Sequence, residues 1–145
     1  MKNIVLCGST KVKEDILKIK EKLEDKGYHV LLPEECLKDI PKKIASRTHF
    51  SRIENKNNQI VLIVNTTKNG IENYIGPNSF AEIAFAFYFN KNIFLLNDYY
   101  EPYLDELTAW NVTPLKGNLN NIKKELWYSS FFIYNFLLLL LQQLR

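Results

Sequence analysis

Cysteine is scarce in this sequence. Cys7 and Cys36 are the only two in 145 residues, and they stand in neither metal-ligand nor redox spacing. With no signal peptide ahead of them they are expected to be reduced thiols of a cytosolic protein, which excludes a disulfide-stapled scaffold. Charge of one sign is also in short supply: the formal net charge is only +3, and the lysines are dispersed apart from Lys42, Lys43 and Arg47. Nucleic acid is therefore not an expected partner. Nor is there a long hydrophobic run. The longest, Phe131 to Leu141, is broken by Asn135 and falls short of the roughly 20 residues that span a bilayer.

What is present fits one globular domain. The chain is 46% hydrophobic and 24% charged, which excludes both a disordered chain and a multi-span membrane protein. The expected division is a domain over residues 1–125 followed by an apolar tail over 126–145. Because "WYSSFFIYNFLLLLLQQLR" would expose a wide apolar surface if it stood alone, the tail is expected to pack on the domain or against another subunit. Attachment to a membrane surface is the lesser alternative.

Strand and helix signals alternate along the domain. "NIVLCGS" is a short apolar run ending at a glycine, and Ile16, Ile19 and Leu23 recur at helical spacing before Gly27 stops the segment. "YHVLL" reads as a second strand ended by Pro33, and Pro41 opens a polar helix to about Asn57. "QIVLIVN" is the strongest strand signal, "NIFLLN" the fourth and "VTPLKG" a short fifth, with a helix over "EPYLDELTAW" between the last two. Strict alternation predicts a single doubly wound α/β domain, with a parallel sheet of about five strands and helices on both faces, plus the apolar C-terminal helix. In such sheets ligands bind beyond the carboxyl ends of the strands. Those ends hold Gly8, Ser9, Pro33, Glu34, Asn65, Asn97 and Asp98.

"GPNSFAEIAFAFYFNK" adds Glu82, the only charge between Gly76 and Lys91. Two roles are open. "SFAE" has the form of a capping box, in which Ser79 and Glu82 satisfy each other's backbone amides. Alternatively, a carboxylate in the first helical turn is kept ionised by the helix dipole while apolar walls thin its hydration, which makes a competent nucleophile. "CGST", Cys7 to Thr10, offers amides and hydroxyls to an anion or a ribose. The run Asn65 to Asn78 holds amides, Tyr74 and two glycines and reads as a ligand-lining loop. His49, alone in the polar helix, reads first as a structural residue; Asp98 is a possible acid or base.

Taken together, "NIVLCGST", the strand ending in Asn65, "KNGIENYIGPNSFAEIAFA" and "NIFLLND" resemble the nucleoside 2-deoxyribosyltransferase-like superfamily. That superfamily includes nucleoside deoxyribosyltransferases and nucleoside 5'-monophosphate N-glycosidases, with a flavodoxin-like, Rossmann-like fold. The similarity spans Asn3 to Leu115. It implies that Glu82 is the nucleophile, that Gly8 and Ser9, next to Thr10 of "CGST", contact the sugar or its 5'-phosphate, and that Gly76 and Asn78 flank the nucleophile; the tyrosine that some members place after the first strand is lacking, and the composition of the loop offers Tyr74 as its substitute. It further implies a small-molecule nucleoside or nucleotide substrate, no cofactor or metal, and a homo-oligomer. The sequence departs from the better-known transferases at Asn65, where they often have an aspartate, so the proton for the leaving base would come from Asp98, His49 or water. Two further functions stay open: nucleotide binding without turnover, as in a sensor, and cleavage of a dinucleotide N-glycoside.

Overall fold

The computed structural model describes residues 1–144, with the side chain of Thr10 left outside the description. Five strands form one all-parallel sheet: β1 (Asn3–Cys7), β2 (His29–Leu31), β3 (Ile60–Ile63), β4 (Asn92–Leu95) and β5 (Thr113–Pro114). Their spatial order is β2-β1-β3-β4-β5. The helices are α1 (Lys13–Glu24), α2 (Lys42–Glu54), α3 (Pro77–Tyr88), α4 (Leu104–Ala109) and α5 (Asn121–Gln143), with single 3-10 turns at Thr10–Val12, Glu34–Cys36 and Glu101–Tyr103. The doubly wound architecture expected from the alternation is the one observed.

Past its first residue each of β1 to β4 is apolar, because both faces of the sheet are covered. On one face Ile4, Leu6, Leu62 and Phe94 meet Ile16, Ile19 and Leu23 of α1 and Ile122 of α5. On the other, Val5, Cys7, Val61, Ile63 and Leu95 meet Ile53 of α2, Ile83 and Ala86 of α3 and Leu107 of α4. Alternate residues of one strand thus enter two cores, as the twofold strand period requires. The chain leaves β1 toward β2 on one side and later adds β3, β4 and β5 on the other. Strand order therefore switches between β1 and β3, and their carboxyl ends form the ligand crevice of such a sheet.

Glycine matters at two places. Gly27 ends α1 at φ +86, the left-handed region that side chains disfavour. At Gly8 a Cβ would lie 3.2 Å from Ile16 Cδ1 and 3.3 Å from the Val64 carbonyl oxygen. The lack of a side chain there lets β1 and α1 close against the backbone that follows β3.

Sequence and structure differ over the tail. α5 begins within the domain, with Ile122 buried and Leu126 packed against the core. From Trp127 to Leu144, however, every residue but Asn135 is exposed. The apolar part therefore does not pack on the sheet, which removes one of its two expected placements. Among the described residues, no helix is long and apolar enough to cross a membrane.

Candidate active site

A cleft of about 490 Å³ opens at the switch point, lined among others by Gly8, Ser9, Ser46, His49, Gly76, Asn78 and Glu82. This is within the usual range for small-molecule sites. The end of β1 forms its floor, α2 one wall, and the first turns of α3 the other.

The start of α3 overturns the capping box. Pro77 occupies the first helical turn, Gly76 is the N-cap, and no side chain caps the helix. Proline's fixed φ and missing N–H favour that first position, so the helix begins two residues before Ser79. Ser79 then lies inside the helix and is buried, and Glu82, the sixth helical residue, has moved past the free amides of the first turn.

The electrostatic expectation for Glu82 is likewise reversed. Its carboxyl is not held ionised: burial raises its pKa from 4.5 to about 7, opposed by a hydrogen bond from Cys7 and reinforced by the negative charge of Glu35. Desolvation wins because the side chain is only 17% exposed and the helix-dipole effect fades beyond the first turn. Oε2 is buried with no hydrogen-bond partner.

Two further side chains complete this corner. Cys7, at the end of β1, is fully buried, and its Sγ lies 3.2 Å from His49 Nε2. His49 is 2% exposed, and its Nδ1 has no partner. Burial lowers the histidine to about 4, and it raises the Cys7 thiol well above its usual value, with help from the Glu82 charge. His49 Nε2 stands 3.9 Å from Glu82 Oε1, yet this is not an ion pair. The imidazolium forms only below about pH 4 and the carboxylate only above about pH 7. Between those limits the corner is a neutral imidazole, a thiol and a carboxylic acid.

Of the three side chains in this corner, His49 was the least visible in the sequence. α2 is polar overall, but its buried residues are Ala45, His49 and Ile53, spaced four apart on one face. A histidine on the inward stripe of an otherwise solvated helix is the signal that marks it.

The remaining candidates divide. Gly8, Ser9, Gly76 and Asn78 line the cleft beside Glu82. Tyr74 stands next to it: a Cβ on Gly76 would meet the Tyr74 ring at 3.3 Å, and Lys68 Nζ lies 4.7 Å from the ring centroid. Lys68 also reaches the Ser9 hydroxyl at 3.4 Å and lines the cleft, as does Lys42. Thr10 follows Ser9 in the chain, but its side chain lies outside the described part.

Asn65 and Asp98 are not brought to the cleft lining. Asn65 is fully buried; its Nδ2 donates to the Asp98 carbonyl at 2.8 Å and the Asn73 carbonyl at 3.4 Å, and its Oδ1 accepts from the Asn97 amide at 2.9 Å. It clasps the ends of β3 and β4 with no polar atom to spare. Asp98 Oδ1 accepts from the Tyr99 amide and Oδ2 faces Lys116 Nζ at 3.8 Å in an exposed pair. Asn65→Ala is expected to cost roughly 2–3 kcal/mol, since it strands buried backbone partners. Urea unfolding measures this, and a loss below about 0.5 kcal/mol would refute the clasp.

No family model, curated protein or solved structure matches this chain.

Proposed function

We propose that the protein is an N-glycosidase or deoxyribosyltransferase acting on a nucleoside or nucleoside 5'-monophosphate, with Glu82 as the nucleophile. One observation carries the reading: a desolvated glutamate with a free, buried oxygen faces a cleft at the switch point of the sheet. The resemblance of "KNGIENYIGPNSFAEIAFA" to the nucleoside 2-deoxyribosyltransferase-like superfamily assigns that carboxylate its role.

In this mechanism an ionised Glu82 oxygen attacks the anomeric carbon. The bond from that carbon to the base nitrogen breaks, its electron pair leaves with the base, and a glycosyl ester forms. Water, or a second base, then attacks the same carbon and frees the carboxylate. Two inversions give net retention, as in retaining glycosidases. Hydrolysis is the favoured outcome. With Asn65 fully engaged, Asp98 outside the cleft and His49 kept neutral by burial, the departing base takes its proton from water in the cleft. Lys68 and Lys42 suit a 5'-phosphate, with the Ser9 hydroxyl beside Lys68 as a further donor.

The test is incubation with nucleosides, 5'-monophosphates and nicotinamide dinucleotide, following free base by chromatography. Base released from a 5'-monophosphate, and lost in Glu82→Gln, supports the reading. Equal release by both proteins rules out Glu82 as nucleophile. Release from the dinucleotide alone moves the activity to that substrate class, and binding without release makes the domain a sensor.

We further propose a cytoplasmic homo-oligomer that buries the exposed part of α5 between copies. Leu137 to Leu141 are consecutive and turn by about 100° per residue, so they occupy every side of the helix. One facing helix cannot cover them, and an assembly of more than two copies is expected. Gel filtration should show the full chain well above monomer size and a chain cut before Phe131 as a monomer. A monomer in both cases sinks the proposal.

A further inference from the structure

Cys7, His49 and Glu82 lie far apart in the chain, which is why spacing reveals no metal motif, yet the fold gathers them. One donor atom from each lies within 4.8 Å of the others. They form a thiol, an imidazole and a carboxyl on three different elements: the end of β1, the inward stripe of α2 and the second turn of α3. We propose that this corner binds one thiophilic divalent cation of the zinc class through Cys7 Sγ, His49 Nε2 and Glu82 Oε1, and that the bound ion switches the site off.

Three observations support this. The donor set is the borderline-soft mixture of sulfur, nitrogen and oxygen that zinc accepts, whereas magnesium and calcium prefer oxygen alone. The spacing is close to what is needed. Zinc–ligand bonds of 2.0–2.3 Å in a tetrahedron put donors about 3.3–3.6 Å apart; the sulfur–nitrogen distance is 3.2 Å and the nitrogen–oxygen distance 3.9 Å. Closing the triangle asks for a shift of about an ångström, which the three side-chain torsions of Glu82 can supply. Finally, Glu82 Oε2 is buried without a partner, so its carboxyl is not satisfied within the protein. His49 and Glu82 both line the cleft, which provides an entry path and room for a water as fourth ligand.

The expected affinity is modest. Histidine ligands of tight zinc sites donate their second ring nitrogen to a partner, a contact worth about 10–100-fold in affinity, and His49 Nδ1 has none. Binding weaker than that of tight structural zinc sites follows. The ion would hold the Glu82 lone pair that attacks the sugar, so the inhibitory half of the proposal rests on the nucleophile reading. The binding half does not.

The full chain, treated with chelator and kept reduced, is titrated with Co²⁺ and then Zn²⁺. One equivalent of Co²⁺ should give visible bands together with a thiolate-to-metal charge-transfer band, and zinc should displace both. Cys7→Ser should abolish the charge-transfer band, Cys36→Ser should keep it, and His49→Gln and Glu82→Gln should each weaken binding at least tenfold; circular dichroism confirms that each variant is folded. No saturable binding below about 100 µM, or a band that survives Cys7→Ser, overturns the site. Should a Cys7 variant fail to fold, His49→Gln alone decides, since undiminished binding there is equally fatal. Zinc should also suppress base release, with recovery on adding chelator. Cobalt binding by a protein that never releases base keeps the metal site and overturns the nucleophile reading. Base release indifferent to zinc, in a protein that binds it, overturns the inhibitory half.

Discussion

Glu82→Gln is expected to reduce base release by about a thousandfold or more, because the covalent route loses its nucleophile, and also to make the protein more stable. The second effect follows from burial. The Glu82 carboxyl ionises near pH 7 in the native state and near 4.5 once exposed. Between those values the native state holds a proton that the unfolded chain has released, so stability declines as pH rises through the window. The full loss, about 3 kcal/mol, is reached above pH 7. Glutamine has the same shape and no charge to desolvate. Its advantage should be absent near pH 4, grow to pH 7 and level off beyond it. A variant less stable than the parent at pH 8, or a difference unchanged with pH, would contradict the burial argument. Loss of activity joined to a gain in stability distinguishes a carboxylate retained for chemistry from one retained for structure.

The pH profile of base release should rise with one-proton slope and reach its plateau above about pH 7, since only ionised Glu82 can attack. Were Glu82 instead the acid that protonates the leaving base, the profile would fall through the same pH. A curve of kcat/KM between pH 5 and 9 decides between them, and a flat one removes Glu82 from the chemistry. His49 does not confuse the result, because its own titration lies near 4. In stability the histidine acts in the opposite sense: below pH 6.5 the unfolded chain takes up a proton that the native state refuses, so stability falls as pH drops toward 4. Across roughly pH 4.5–6.5 the two slopes oppose each other. His49→Gln should expose the Glu82 slope alone, as stability that increases when the solution is acidified from pH 7 to 5.

The sheet was legible because a strand covered on both faces leaves an unmistakable mark. "NIVLC" and "IVLI" admit hardly a polar residue, and the strands end within a residue or two of the apolar runs. Helix starts were less readable. A serine three residues ahead of a glutamate fits a capping box, but Pro77 had already set the helix start, and local pattern alone could not rank the two signals. Asn65 is legible as a strand end, but its complete engagement there is not. Its carbonyl partners come from loops whose path no local rule describes. His49 had a signal in the Ala45–His49–Ile53 stripe, too short to stand out in a helix so polar. Cys7, inside an apolar run, is a small core residue. What the sequence could not display was the company it keeps: two polar side chains from α2 and α3, brought to the same depth only by the winding of the sheet.

α5 has a geometric consequence. It runs from the buried Ile122 to Gln143 without a glycine or proline, so the exposed leucines extend a rod whose base is clamped in the core. The projecting part of the helix, Trp127 to Gln143, is about 25 Å long at 1.5 Å per residue. Whatever grips the far end therefore fixes the direction of the whole domain instead of tethering it loosely. The rod is rooted on the α1 face of the sheet, whereas the walls of the cleft come from α2 and α3 on the opposite face. An interface built on the rod is therefore rooted on the face of the sheet opposite the walls of the cleft.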